Sequence, residues 1–185
     1  MRIATASLAS LSPYSQSGFK TSPREDQEDY DAYEERTWRE HLHLDANGFV
    51  EVPPMAFMHL MSDAAIFLGT KIPGRRNATY TKRFVSGLLV LEGMNTGVKG
   101  EDIESEWLWM PGDGKRGGGS RVKKCYPLIR EWKGQMTFHV LDDLITEAVF
   151  ENTLSQGGSF IGIGRFRPQN RGFYGRFRVD SVSWE

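Results

Sequence analysis

The side chains best suited to bind an anion are concentrated in one segment near the C terminus. The segment FIGIGRFRPQNRGFYGRFRV, residues 160–179, contains four glycines, five arginines and five aromatic residues. Arginine can pair with a phosphate through two parallel hydrogen bonds, closely spaced glycines let backbone N–H groups approach an anion, and aromatic rings can stack on bases. This composition is typical of a nucleic-acid contact, and equally typical of a glycine-rich hairpin with surface arginines. The side chains predicted to bind here are Arg165, Arg167, Arg171, Tyr174, Arg176 and Arg178.

The same segment does not have the pattern of a nucleotide pocket. A dinucleotide-binding loop needs G-x-G-x-x-G between a strand and the start of a helix. Gly162 and Gly164 supply the first two glycines, but Arg167 occupies the third position. The segment also follows a predicted helix and leads into a predicted strand, which reverses the required order.

Alternation at the end of the segment predicts a strand over residues 173–180. Successive side chains of a strand point to opposite faces of the sheet. The residues predicted to face the core are Phe173, Gly175, Phe177 and Val179, and those predicted to face solvent or a ligand are Tyr174, Arg176 and Arg178.

Acidic and basic side chains occupy separate parts of the chain, although the formal net charge is only −1. Residues 24–51 carry ten acidic and three basic residues, whereas residues 71–130 carry twelve basic and six acidic ones. This segregation favours a basic surface for a polyanionic partner, and two ordinary solvated faces are the other interpretation. A basic loop is predicted at 70–84, and a flexible basic finger, PGDGKRGGGSR, at 111–121. Their predicted binding residues are Arg75, Arg76, Lys82, Lys115, Arg116 and Arg121.

Hydrophobic patterning predicts strands and helices along the whole chain. Packing them as an antiparallel sheet with helices on one face gives an α+β, ferredoxin-like fold of the RRM type. We predict a single domain, residues 1–185, with an acidic helical insertion at 20–46 and a basic hairpin at 106–130. The predicted strands are 2–10, 49–52, 85–93, 106–110, 122–129, 135–142 and 173–180, and the predicted helices are 25–42, 53–69 and 146–158.

Three stretches resemble a known family. GIGRFRPQNRGFYGRFRV, between a helix and the last strand, resembles the glycine-rich loop of the RAMP superfamily, the repeat-associated proteins that include backbone and RNA-processing subunits of CRISPR effector complexes. LASLSPYSQS is similar to the family's opening strand and loop, and FVEVPPMAFMHLMSDAA to its strand, proline-bearing turn and first helix. The whole sequence looks like a small stand-alone protein encoded by phages or prophages. The resemblance implies a ferredoxin-like RAMP core, binding of single-stranded nucleic acid, and head-to-tail assembly into a homo-oligomer or filament, with hairpin 106–130 as a thumb over the strand.

Three functional hypotheses follow. The leading one is non-enzymatic binding of single-stranded nucleic acid, either RNA or single-stranded DNA, with base stacking on Tyr174 or Phe166. The second is a phage-encoded protein that mimics an effector backbone subunit and blocks a host defence complex through a protein partner. The third is a metal-independent endoribonuclease, because some members of the resembled family cleave RNA with a histidine as general acid or base. The chain's histidines are His41, His43, His59 and His139.

No catalytic residue, metal or cofactor is predicted. The acidic run 25–35 lacks the glycine and spaced ligands of an EF-hand loop. Cys125 is the only cysteine, which predicts a reducing cytoplasm, that of the host cell if the protein is phage-encoded. The apolar stretch 55–68 is too short to span a bilayer, so no membrane partner is predicted.

Overall fold

The computed structural model describes residues 1–112 and 119–185. Within these residues the chain forms eight β-strands and four α-helices. No helix in this described part is both long and apolar enough to cross a bilayer. The strands are β1 (Arg2–Ser10), β2 (Phe49–Val52), β3 (Leu88–Leu89), β4 (Met94–Lys99), β5 (Glu104–Pro111), β6 (Arg121–Leu128), β7 (Lys133–Val140) and β8 (Phe177–Trp184), and the helices are α1 (Tyr30–Thr37), α2 (Pro54–Leu68), α3 (Thr81–Ser86) and α4 (Glu147–Gln156).

The largest sheet has four antiparallel strands in the order β3-β7-β1-β8. Alternation in β1 buries Ala4 and Ala6 on one face of this sheet. Helices α2 and α4 cover that face, because the rings of Phe57 and Phe150 both contact Phe138 of β7, at centroid distances of 5.9 and 5.2 Å. Two further antiparallel pairs, β2–β4 and β5–β6, lie outside this sheet. The prediction of a mixed fold with antiparallel sheets and several helices is confirmed.

The boundaries of α2 and α4 follow from local sequence signals. Pro54 opens α2, where the missing N–H removes no helical hydrogen bond, and Gly69 ends it with a left-handed φ of 56°. Thr146 caps α4, since its hydroxyl accepts a hydrogen bond from the N–H of Val149. The backbone then continues as a π-helical turn, Gly157–Ile161, into the glycine-rich segment.

Two predicted elements are shorter than expected. The helix predicted at 25–42 begins only at Tyr30, because the Asp29 carboxylate accepts the N–H of Ala32 at 2.8 Å and caps the helix there. The strand predicted at 85–93 is reduced to β3, because the chain is still helical in α3 up to Ser86.

The acidic helix α1 packs against strand β6 of the basic hairpin. Glu34 of α1 is fully buried at this contact. Its carboxylate lies 2.9 Å from Nζ of Lys20 and 3.1 Å from Nζ of Lys124, and it accepts the N–H of Cys125 at 3.1 Å. Burial acts to raise the pKa of Glu34, but these three partners outweigh it, so the pKa is lowered. The carboxylate therefore stays charged and ties α1 to the hairpin.

Acidification is expected to loosen the segment around α1. Hydrogen bonds from Arg36 lower the pKa of Glu28 to about 2, and hydrogen bonds from Ser22 and Thr21 lower that of Glu40 to about 2. A carboxylate whose pKa is lowered by folding stabilises the folded state fully above its unfolded pKa of 4.5, and this contribution is lost as the pH falls toward 2. Urea unfolding should therefore show a loss of stability concentrated below pH 4.5.

The matched control is the double variant Glu28→Gln/Glu40→Gln, which removes both titrating groups and keeps their shapes. We expect this variant to lose less stability than the natural chain over the same acid range. An equal pH dependence in the two proteins would contradict the assignment to these carboxylates.

Candidate nucleic-acid interface

The glycine-rich loop, defined as residues 162–176, is fixed to the loop that follows β1. The N–H of Arg165 donates to the carbonyl of Ser15 at 2.9 Å, and the N–H of Gly175 donates to the carbonyl of Pro13 at 2.7 Å. Two of the stretches that resemble the RAMP superfamily are therefore in direct backbone contact.

An open groove of about 480 Å³ separates this loop from the start of α2. We call it the α2 groove. Its walls come from the loop after β1, from the beginning of α2, and from the glycine-rich loop, so distant parts of the sequence meet here. The lining residues used below are Gln16, His43, His59, Arg165, Phe166 and Arg167.

Arg165 is held in the wall of the groove by burial and ring contact. Only 8% of its side chain is exposed, and its guanidinium carbon lies 4.0 Å from the centre of the Tyr126 ring. Its Nε donates to Oγ of Ser15 at 3.1 Å, whereas Nη2 is 3.7 Å from Glu106, beyond hydrogen-bonding distance. Both terminal nitrogens are buried without a hydrogen-bond partner in the described part of the chain. Burial lowers the pKa of Arg165, and an anion that reached these nitrogens would satisfy donors that folding leaves unpaired.

Two other predicted arginines lie close to the groove opening. Arg167 lines the groove, its side chain is 26% exposed, and its Nη2 is 4.0 Å from the Asp63 carboxylate. The Nε of Arg167 donates to Gln169 at 3.0 Å. Arg171 is exposed and ends the short turn that follows Arg167, with a φ of 61°. Arg171 itself does not line the groove, but Asn170, the residue before it, does.

The remaining arginines of the segment do not line the α2 groove. The Nε of Arg176 donates to the carbonyl of Ser159 at 3.1 Å, so this side chain ties two backbone turns together. Arg178 lies on β8, where it pairs with Asp180 at 2.7 Å. It lines a separate cleft of about 610 Å³ together with Arg130.

The orientation predicted for Tyr174 is wrong. Strand β8 begins at Phe177 and not at residue 173, because Gly175 adopts a φ of 73°, outside the range of a strand. Tyr174 is therefore only 5% exposed, and its hydroxyl donates to the Glu106 carboxylate at 2.8 Å. The pKa of Tyr174 is raised to about 12, mainly by burial and secondarily by this hydrogen bond. The ring is closed to an incoming base in this conformation.

The predicted cations outside the segment lie on other parts of the surface. Arg75 and Arg76 are exposed in the turn after α2, and Lys82 is exposed on α3 rather than in a loop. Arg121 is exposed at the start of β6. None of these four lines the α2 groove. The other two predicted residues, Lys115 and Arg116, lie outside the described residues.

Several aromatic rings near the segment are open to solvent. Phe166 lines the groove and is 40% exposed, and Phe173, which was predicted to face the core, is 53% exposed. Sequence reasoning missed Phe67 and Phe160, whose rings stack on each other at 5.5 Å. The sequence could have indicated that Phe67 is exposed, because this residue lies outside the apolar stripe of α2 that faces the sheet.

The α2 groove also brings together two histidines. His43 and His59 are both exposed and both line it, although β2 separates them in the chain. His41 is buried instead, and its ring stacks on Tyr126 at 4.9 Å. Burial lowers the pKa of His41, so its ring is neutral at neutral pH. No group of three or more metal-ligating side chains occurs among the residues that the structure describes.

The fold of the chain is similar to that of RAMP-type subunits of CRISPR effector complexes, as the glycine-rich loop predicted. One similar chain belongs to the cryo-EM structure of the Type III-B Cmr-beta bound to cognate target RNA. The match has a TM-score of 0.54 at 8% sequence identity and covers 99% of this chain. The protein spans only 60% of the length of that chain. At this identity the likeness is one of fold.

Two further structures match with lower TM-scores. Cmr6 from Pyrococcus furiosus is 12% identical, with a TM-score of 0.49 over 97% of this chain and 99% of its own. A chain of a CRISPR RNA-guided surveillance complex is 9% identical, with a TM-score of 0.38 over 98% of this chain and 68% of its own. No family model and no curated protein matches the sequence.

Proposed function

We propose that the protein binds single-stranded nucleic acid, RNA or single-stranded DNA, without cleaving it, and that the strand enters through the α2 groove. The observation that carries this proposal is the meeting of Arg165, Arg167 and the glycine-rich loop at one open groove. The structurally similar Cmr-beta was solved bound to cognate target RNA, which agrees with the proposal. Assembly of several copies along one strand is part of it.

Phosphate neutralisation would supply most of the affinity. A single strand releases counterions when its phosphates pair with arginine or lysine, so its binding weakens with salt. In this proposal Arg167 and Arg171 make the first contacts, and Phe166, whose ring is partly exposed, stacks on a base. The cations outside the groove would extend the path of the bound strand. These cations are Arg75, Arg76, Lys82, Lys115, Arg116, Arg121, Arg176 and Arg178.

We further propose that residues 1–185 form one ferredoxin-like RAMP domain, with the acidic insertion at 20–46 and the hairpin at 106–130 as its thumb. In chain order, the elements β1, α2, β3, β7, α4 and β8 give two β-α-β units, and the sheet order β3-β7-β1-β8 supports this interpretation. The docking of α1 on β6 places the acidic insertion beside the hairpin.

The double variant Arg167→Ala/Arg171→Ala is expected to bind a single strand about 25-fold or more weakly, since each lost phosphate contact costs about fivefold or more. The slope of its log binding constant against log salt concentration should be less steep by about 0.7 for each lost phosphate contact. Fluorescence anisotropy with matched single-stranded RNA, single-stranded DNA and duplex probes at two salt concentrations measures both quantities. Arg24→Ala is the control for the loss of an arginine outside the groove, because it removes one positive charge from the acidic segment.

Two outcomes would overturn parts of the proposal. If the natural protein binds none of the probes at low salt, strand binding is rejected and the interaction-protein hypothesis takes its place. If the affinity is the same at both salt concentrations, the phosphate mechanism is rejected.

A second candidate function is metal-independent cleavage of RNA, and the presence of both His43 and His59 in the lining of one groove favours it. One imidazole would accept the proton of a ribose 2′-hydroxyl as its oxygen attacks the phosphorus, and the other, protonated, would donate to the departing 5′-oxygen. This candidate predicts cleavage in the presence of EDTA that is lost in His43→Ala and in His59→Ala. RNA that is bound but remains uncut excludes it.

A further inference from the structure

Two exposed phenylalanines form a stacked ring pair at the end of α2 that is farther from the α2 groove. Phe67 of α2 and Phe160 of the π-helical turn are 60% and 51% exposed. Their ring centroids are 5.5 Å apart and their planes differ by 30°, which is a stacked pair. Contiguous exposed apolar side chains commonly mark an interaction site, so this pair is a candidate contact surface.

The backbone of the π-helical turn holds Phe160 in place. A Cβ on Gly157 would come within 2.8 Å of Leu60 on α2, and a Cβ on Gly158 would come within 2.5 Å of the carbonyl oxygen of Phe177. The absence of side chains at these two glycines therefore lets the turn press against α2 and β8. This close approach is what brings the ring of Phe160 onto Phe67.

Helix α2 connects the ring pair to the groove. His59, Asp63 and Phe67 are spaced by four residues, so they share one face of α2. His59 lines the groove, and Asp63 lies 4.0 Å from Arg167, which also lines it. Eight residues of helix span about 12 Å, so the ring pair lies a few nucleotides from the groove along the same face.

Cations occur close to each ring of the pair in the chain or through a neighbouring residue. Arg176 donates to the carbonyl of Ser159, the residue before Phe160. After Phe67, the chain leaves α2 at Leu68 and continues into the exposed turn that carries Arg75 and Arg76. The Asp63 carboxylate is the acidic group on this face, and Arg167 lies beside it. An aromatic platform with arginines nearby fits a base whose neighbouring phosphate is paired with a cation.

We propose that the Phe67–Phe160 pair is a base-stacking platform for a nucleotide of the strand bound in the α2 groove. This inference rests on the proposed strand binding. It assigns the bound strand a path that runs from the groove along α2 toward the basic turn. Stacking on a ring face tolerates every base, so the platform adds affinity without sequence preference.

The experiment compares the strand affinity of variants that lack one aromatic ring with that of variants that retain it. Phe67→Ala and Phe160→Ala should each bind an oligouridylate and an oligothymidylate about 5- to 150-fold more weakly, the range for losing one base–aromatic stack. The salt dependence should not change, because no charge is removed. Phe67→Tyr should keep most of the affinity, whereas Phe67→Leu, which stays apolar, should not. Leu91→Ala is the control for removal of an exposed apolar side chain, since Leu91 is 62% exposed.

Four results would overturn the platform. Affinities of both alanine variants equal to that of the natural protein, with the Arg167→Ala/Arg171→Ala variant still weakened, would reject it and leave strand binding intact. Equal binding by Phe67→Leu and the natural protein would show apolar packing in place of stacking. A smaller particle in light scattering for the alanine variants, with unchanged strand affinity, would identify the pair as a protein contact. Failure of the natural protein to bind either oligonucleotide would reject the platform and the proposed function together.

Discussion

Replacing Gly175 with alanine is expected to lower the free energy of unfolding by about 3 kcal/mol or more. Gly175 has a φ of 73°, which costs an L-residue about 1–2 kcal/mol. A Cβ at this position would also overlap the carbonyl oxygen of Ile163, a backbone atom that cannot rotate away. Because Gly175 also donates its N–H to Pro13, the strain would open the contact between the glycine-rich loop and the loop after β1. Chemical denaturation measures the loss directly.

Gly74→Ala separates the two causes of this loss. Gly74 has the same φ of 73°, but no atom lies within 4 Å of where its Cβ would be. We therefore expect Gly74→Ala to lose only the conformational part, about 1–2 kcal/mol. If the two variants are equally destabilised, the overlap with Ile163 has been relieved by movement and the loop is less tightly fixed than the structure shows. Strand affinity, measured where both variants are folded, should fall for Gly175→Ala and stay near normal for Gly74→Ala.

Replacing Glu34 with alanine is expected to cost about 3–5 kcal/mol, the range for removing one partner of a buried ion pair. The substitution leaves the ammonium groups of Lys20 and Lys124 without their carboxylate and the N–H of Cys125 without its acceptor. The Lys20 side chain is only 10% exposed, so water can solvate its unpaired ammonium group only poorly. Helix α1 should detach from β6 as a consequence, and hydrogen exchange of the α1 amides should rise more than that of α2.

Two substitutions on the same helix test this explanation. Glu35→Ala removes an exposed carboxylate next to Glu34 and should change the free energy of unfolding by less than about 1 kcal/mol. Glu34→Gln keeps the shape and the acceptor oxygen but loses the charge, so we expect a loss between those of the two alanine variants. A Glu34→Ala protein as stable as Glu35→Ala would mean that Lys20 and Lys124 reach solvent when the carboxylate is gone.

The elements that the sequence predicted well are those whose signals are local. Strand β1, helix α2 and helix α4 each carry an alternation or a helical stripe with a recognisable boundary residue, such as Gly69 or Thr146. The errors occurred where a local pattern competed with a contact. Residues 173–176 alternate like a strand, but the requirement to pass close to Ile163 places Gly175 in a left-handed conformation instead.

The candidate site was predicted in part because its cations are contiguous in sequence. The glycine-rich loop, its arginines and the likeness to RAMP-type proteins were all visible in residues 160–179. The differences between these arginines were not visible. Arg165 is buried against Tyr126, Arg176 is bonded to a backbone carbonyl, and Arg171 is exposed, yet all three look alike in the sequence.

The sequence by itself determined the kinds of element, the segregation of charge and the loop that carries the resemblance, because propensity, periodicity and composition act over short stretches of chain. Only the tertiary structure decided which side chains face the groove, that Tyr174 is closed to solvent, that His43 and His59 line one groove, and that Phe67 stacks on Phe160. These features depend on residues far apart in the chain. Their existence depends on how the sheet, the two helices and the glycine turns bring separate segments within a few ångströms, which no short stretch of sequence specifies.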